Sequence, residues 1–201
     1  MTVGERRPQQ VRLATLLMTS PVVPVITIER AEDGVPLARA LIAGGLTAIE
    51  ITLRTPAAHD AAAAIVRDFP EVRVGIGTVL SAADLATAHK LGASFAVSPG
   101  ATPDLLTAAA ALDLPFLPGV ATASETMAAL ARGFDVLKLF PAVPAGGIGA
   151  VRALAGPFPA VRFCPTGGID QVNMVEWLKQ PNVLAIGGSW LAPTADIRQG
   201  N

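Results

Sequence analysis

A (β/α)8 barrel is the fold class that three observations in the sequence predict. Short runs rich in Val, Ile and Leu begin at Val22, Ala48, Val72, Phe95, Pro115, Val136, Val161 and Val183, so their starts lie 20 to 26 residues apart. That is the spacing of strand–helix units. Alanine-rich stretches at helical spacing fill the intervals. Most of the runs are apolar on both faces, as parallel strands covered by helices must be. An open doubly wound sheet is the alternative, but it needs a topological switch point, and none is evident in the chain. With 201 residues a single domain is expected. It comprises an N-terminal helix within residues 1–20, a barrel over 21–192 and a short tail over 193–201.

The elements follow in order. RPQQVRLATLLMTS is an amphipathic stretch ahead of the first strand, VVPVITI. AIEITLR is the second strand, and Thr55-Pro56 after it reads as an N-cap threonine with proline at the first helical position. VRVGIGTVL is the third, after which Ser81 caps a helix through Leu91 that Gly92 ends. FAVSPG is the fourth, followed by the same cap signal at Thr102-Pro103. PFLPGV is the fifth, and Thr122 to Glu125 is a capping box. VLKLFPA, VRFCPTGGI and VLAIGGSWL are the sixth to eighth strands. LAPTADIRQGN then closes the chain, and no eighth helix is expected there. The seam between the strands from Val183 and Val22 should then lack cover, which points to a truncated product or to a neighbouring subunit over the seam.

Composition narrows the function classes. Hydrophobic residues make up 51% and charged residues 15%, which excludes a disordered chain. A net charge of -1 and 4% aromatics offer no surface for gripping nucleic acid. No signal peptide and no membrane span are expected. Cys164 is the sole cysteine, so no internal disulfide is possible and a reducing cytoplasm is the expected location.

Polar residues stand where a core should be. In the second strand Ile49, Ile51 and Leu53 share one face, while Glu50, Thr52 and Arg54 share the other. The apolar face should meet helices, which aims the polar set into the barrel, where branched apolar side chains are the norm. Glu50 and Arg54 are roughly 13 Å apart at about 3.3 Å per strand residue, so they do not pair directly. In the sixth strand Val136, Lys138 and Phe140 share a face opposite Leu137 and Leu139. A lysine there must be paired or neutral, and a neutral buried amine is a nucleophile able to form an imine with a ketone.

TGGI, from Thr166 to Ile169, follows the seventh strand, and Gly187, Gly188 and Ser189 close the eighth. Loops after the last two strands of a barrel often bind phosphate. His59 and His89 fall in helix-like segments and should face solvent, so no metal site is expected. Cys164, between Phe163 and Pro165, reads as core rather than nucleophile. Gly75 and Gly77 lack side chains and would leave room above the core before Thr78.

From about Leu17 to Pro193 the chain resembles the 2-keto-3-deoxy-6-phosphogluconate aldolase family, often bifunctional with 4-hydroxy-2-oxoglutarate aldolase. The motifs PVVPVI, EITLRTP, GIGTVL, VSPG, PGVAT, LKLFPA, AGPFP, RFCPTGGI and IGGSWL carry the resemblance, together and in order. It implies a Schiff-base enzyme of the Entner-Doudoroff pathway that needs no cofactor, in which Lys138 is the imine lysine and Glu50 the general acid/base. Arg54 and Thr78 would hold the pyruvate carboxylate, Pro99 and Phe140 would line the pocket, and Thr166 would contact substrate. Gly167, Gly168, Gly187, Gly188 and Ser189 would receive the phosphate of a small phosphorylated keto acid. The resemblance also implies a homotrimer whose N-terminal segment packs near the barrel's bottom, and a final helix that this chain lacks. Relatives acting on the galactonate epimer tend to carry an apolar residue at the Thr166 position, so the gluconate-derived substrate is expected. A pyridoxal-phosphate barrel would also need an imine lysine and a phosphate cup. An inactive barrel kept or engineered for assembly would need neither.

Overall fold

A computed structural model describes residues 7–200. Residues 1–6 of the expected N-terminal segment and residue 201 of the tail lie outside the described residues. The chain is an α/β fold in which every strand pairing is parallel. The strands are β1 (Val22–Ile26), β2 (Ala48–Thr52), β3 (Arg73–Gly77), β4 (Phe95–Val97), β5 (Phe116–Leu117), β6 (Gly119–Val120), β7 (Val136–Leu139), β8 (Arg162–Pro165) and β9 (Ile186–Gly188). They form a six-stranded sheet, in the order β5-β4-β3-β2-β1-β9, and a three-stranded sheet, β6-β7-β8. The first and last strands are therefore hydrogen-bonded neighbours. Single bridges, Phe163 to Val183 and Thr166 to Gly187, join β8 to the segment of β9.

The fifth apolar run serves both sheets. Pro118, which has no N–H to give a ladder, divides it: β5 pairs with β4, and β6 pairs with β7.

The helices are α1 (Pro8–Thr19), α2 (Gly34–Ala43), α3 (Ala58–Asp68), α4 (Ala82–Lys90), α5 (Pro103–Ala111), α6 (Ala123–Ala131), α7 (Gly147–Ala155), α8 (Met174–Leu178) and α9 (Thr194–Gln199). Three sequence caps sit where expected. Ser81 with Asp84 and Thr122 with Glu125 are full capping boxes, and the Thr102 hydroxyl accepts from the Leu105 N–H. The fourth does not: α3 starts at Ala58 with Ala57 as its N-cap, and the Thr55 hydroxyl instead donates to the Ile28 carbonyl. A tertiary acceptor on the β1 loop wins over the local cap.

The expected absence of a helix after the last strand is corrected. Thr194–Gln199 forms α9, whose Ile197 is buried in the main apolar cluster. Arg198 makes a two-armed contact with Glu29 after β1, Nε to Oε2 at 2.5 Å and Nη2 to Oε1 at 2.6 Å. The neighbouring strand residue Ile186 is fully buried, and Val22 and Val183 are half-buried.

The apolar residues divide as the strand alternation dictates. One cluster joins the outer strand faces to the helices and includes Ile49, Ile51, Ile76, Leu137 and Leu139. The second lies among the opposite strand faces and includes Val23, Phe95, Val97, Leu117, Val136 and Cys164, with Leu13, Ala14 and Leu17 of α1 packed into it. Helix α1 is fastened there by Gln10, which is fully buried. Its side-chain amide donates to the Phe116 carbonyl at 2.9 Å and accepts from the N–H groups of Asp135 and Val136 at 3.1 and 2.9 Å. Those backbone groups lie at or before the N-terminal starts of β5 and β7, so α1 closes that end. The polar residues of the same strands stand at the other end.

Candidate active site

Glu50 of β2 and Lys138 of β7 meet in that polar layer. The Lys138 ammonium nitrogen lies 3.4 Å from Glu50 Oε1, and the residues are 4% and 3% exposed. The strand pattern identified each side chain as an anomaly and the family resemblance put both in one reaction, but neither gave their contact. Neither charge could stay buried alone: removing one partner of such a pair typically costs about 3–5 kcal/mol. The Phe140 ring lies beside Lys138, with its centroid 5.4 Å from Nζ.

Phe140 also lines a cleft of about 170 Å³ at the C-terminal ends of the strands, together with Val25, Arg54, Thr166, Gly167, Gly168, Ile169, Gly188 and Ser189. The structure thus brings Arg54, Phe140, Thr166 and most of the expected phosphate loop around one opening. Lys138 and Glu50 are not part of its lining; Phe140 connects them to it. Sequence reasoning missed Val25 and Ile169. The strand alternation that turns Val23 inward also marks Val25, and Ile169 completes the TGGI motif.

Thr78 supports Arg54. Its φ of 59° is the sole positive value among the described non-glycine residues. For a β-branched residue this is a strained conformation, of the kind that gathers at functional sites. It places the Thr78 hydroxyl where it accepts from Arg54 Nε at 3.2 Å. The turn after β8 uses Gly167 and Gly168 at φ 99° and 78°, a backbone only glycine adopts easily and one that oxygens can approach closely. Gly187 has another use. It is buried outside the cleft lining, and its missing side chain makes room for the Thr166 hydroxyl. Pro99 is half-buried at the end of β4, with its carbonyl packed against Gly119. His59 and His89 are both exposed. A larger cleft of about 770 Å³ lies at the opposite end, among Arg12, Thr15, Arg73, His89 and Asp113. It contains none of the expected site residues.

Cys164 pairs in register with Lys138 but is not a second nucleophile. Burial pushes its thiol from 9.0 up to about 12, against the pull of the Lys138 charge and a hydrogen bond with Thr166. The unfolded chain then loses this proton before the folded chain does, so stability falls as pH rises through that window. The slope is about 1.4 kcal/mol per pH unit from this group. Urea midpoints taken between about pH 8 and about pH 10 should fall less steeply for Cys164→Ala than for the wild type. Parallel slopes would show that the thiol titrates normally.

Comparison with known proteins agrees with this arrangement. A family model described as KDPG and KHG aldolase matches residues 13–201. The 2-dehydro-3-deoxy-phosphogluconate aldolase of Pseudomonas aeruginosa is 48% identical over 190 residues, covering 94% of this chain and 86% of that protein. The KHG/KDPG aldolase of Escherichia coli is 48% identical over 187 residues, covering 93% and 88%. Among solved structures, the KDPG aldolase of Legionella pneumophila, with pyruvate captured at low pH as a covalent carbinolamine intermediate, superposes with a TM-score of 0.91. Its identity is 45%, and the match covers 92% of this chain and 90% of that one. A buried lysine–glutamate pair beneath a glycine-lined cleft, carried on a sequence this similar, places the chain in the KDPG and KHG aldolase family.

Proposed function

We propose that this chain is a class I aldolase, cleaving 2-keto-3-deoxy-6-phosphogluconate to pyruvate and glyceraldehyde 3-phosphate and acting also on 4-hydroxy-2-oxoglutarate to give pyruvate and glyoxylate. The observation that carries the reading is the burial of Lys138 against Glu50 below the cleft. In this reading the Lys138 amine attacks the C2 ketone and water leaves, giving a protonated imine. Glu50 takes the proton from the C4 hydroxyl as the C3–C4 bond breaks. The bonding electrons pass into the imine, the aldehyde departs, and an enamine remains. Protonation at C3 and hydrolysis release pyruvate and restore the amine. Arg54 and Thr78 hold the carboxylate, Pro99 and Phe140 wall the reacting carbons, and Thr166 bonds a substrate hydroxyl. Gly167, Gly168, Gly188 and Ser189 form the phosphate cup, which fixes orientation far from the chemistry.

Further proposals belong to the same reading. The two sheets form one closed (β/α)8 barrel: β5 and β6 are one strand bent at Pro118, and the bridges from β8 to the segment of β9 complete the ring. The chain is a single domain, assembles as a homotrimer and works in the cytoplasm in the Entner-Doudoroff pathway. Among the described residues, no helix is long and apolar enough to cross a membrane.

A lactate dehydrogenase-coupled assay tests the function. Pyruvate should appear from the gluconate-derived substrate, with efficiency on the galactonate epimer lower by about tenfold or more, because the inverted hydroxyl forgoes its hydrogen bond with Thr166. No pyruvate from any 2-keto-3-deoxy sugar acid would sink the reading. Equal efficiency on both epimers would remove Thr166 from its role.

A further inference from the structure

We propose that Gly77 is a positioning residue for proton transfer: its bare backbone is the recess that lets the Glu50 carboxylate reach Lys138. The proposal rests on the reading of Glu50 as general acid/base.

Glu50 stands level with Gly75 in the β2–β3 pairing, and Gly77 stands level with Thr52. The space over Gly75 is already taken. A Cβ there would come within 2.7 Å of Phe95 Cε1 and nearer still to the rest of that ring edge. The Glu50 side chain therefore runs toward the C-terminal end of the neighbouring strand and lies across Gly77. The three heavy atoms nearest a Cβ built on Gly77 all belong to Glu50: Cγ and Cδ at 2.7 Å, and Oε1 closer. That same Oε1 is the atom 3.4 Å from Lys138 Nζ.

Nothing in the backbone at Gly77 calls for glycine. Gly77 is a strand residue and is not among the positive-φ glycines, so alanine fits its conformation. What alanine does not fit is the carboxylate. Phe95 over Gly75 sets how far along β3 the glutamate must run, and Gly77 keeps the end of that path open. A methyl group at Gly77 would lift Oε1 off Lys138 while leaving the amine and the cleft in place.

Steady-state kinetics and trapping of Gly77→Ala test this. We expect kcat to fall about 10²- to 10³-fold, KM to stay within about threefold, and borohydride with pyruvate still to modify Lys138. Adding Glu50→Asp shortens the carboxylate arm by one methylene. The double variant Gly77→Ala/Glu50→Asp should recover at least about tenfold in kcat over Gly77→Ala, although Glu50→Asp alone slows the wild type. A near wild-type kcat for Gly77→Ala, or a double variant no faster than the single one, would overturn the proposal. If Gly77→Ala does not fold, the double variant must regain a cooperative melt, and failure to regain it has the same force. If the wild type itself gave no Lys138 adduct, the aldolase reading would fall. The steric claim would then be judged by the two melting curves alone.

Discussion

Lys138→Arg should abolish aldol cleavage, with a loss of at least about 10⁴-fold in kcat/KM, as expected when a covalent nucleophile is removed. The guanidinium keeps the positive charge beside Glu50, so the buried carboxylate is not left without a partner. It stays protonated, however, and cannot add to a ketone. A cooperative melt close to that of the wild type, together with absent pyruvate release, separates this loss from unfolding. Lys138→Met should also be inactive, and it should be less stable than Lys138→Arg by several kcal/mol, because it strands the Glu50 charge. Activity in Lys138→Arg within about tenfold of wild type would rule out imine chemistry at this position.

Glu50→Gln should slow turnover by about 10²- to 10⁴-fold, the usual contribution of a general acid/base, while the imine with pyruvate still forms. Glutamine keeps the size and a hydrogen-bonding oxygen but cannot take up the C4 proton. Single-turnover trapping followed by steady-state rates divides the two steps. Unchanged turnover would make Glu50 a counter-charge for Lys138 and nothing more.

Much of this was legible residue by residue, because strand alternation is a local rule. It turned Ile49 and Ile51 to one side and Glu50 to the other, and did the same for Leu137, Leu139 and Lys138. The structure keeps those faces. The family resemblance set Glu50 and Lys138 in one reaction, but their direct contact was not legible in the strand pattern. They lie 88 residues apart, on strands of different sheets, and no spacing rule spans that distance. The recess at Gly77 was half-legible: two glycines before Thr78 announced empty space, but only the geometry shows that Phe95 and Glu50 fill it.

The misses have local physical causes. Thr55-Pro56 carries a sound cap signal, yet the Ile28 carbonyl lies within reach of the hydroxyl and the helix begins later. PFLPGV reads as one strand, while a proline without an N–H splits its pairing between two neighbours. Helix α9 is too short for a 3.6-residue period to register. Its hold comes from Ile197 in the apolar cluster and from Arg198 on Glu29, and neither contact is visible in a linear pattern.

That Lys138 is the imine-forming nucleophile, and forms the imine without Glu50, is tested most directly by borohydride reduction of the protein with pyruvate, followed by peptide mass mapping of wild type and Glu50→Gln. One reduced pyruvyl adduct, on Lys138, is expected in both proteins. An adduct on Lys90 or Lys179, or no pyruvate-dependent adduct at all, would contradict it.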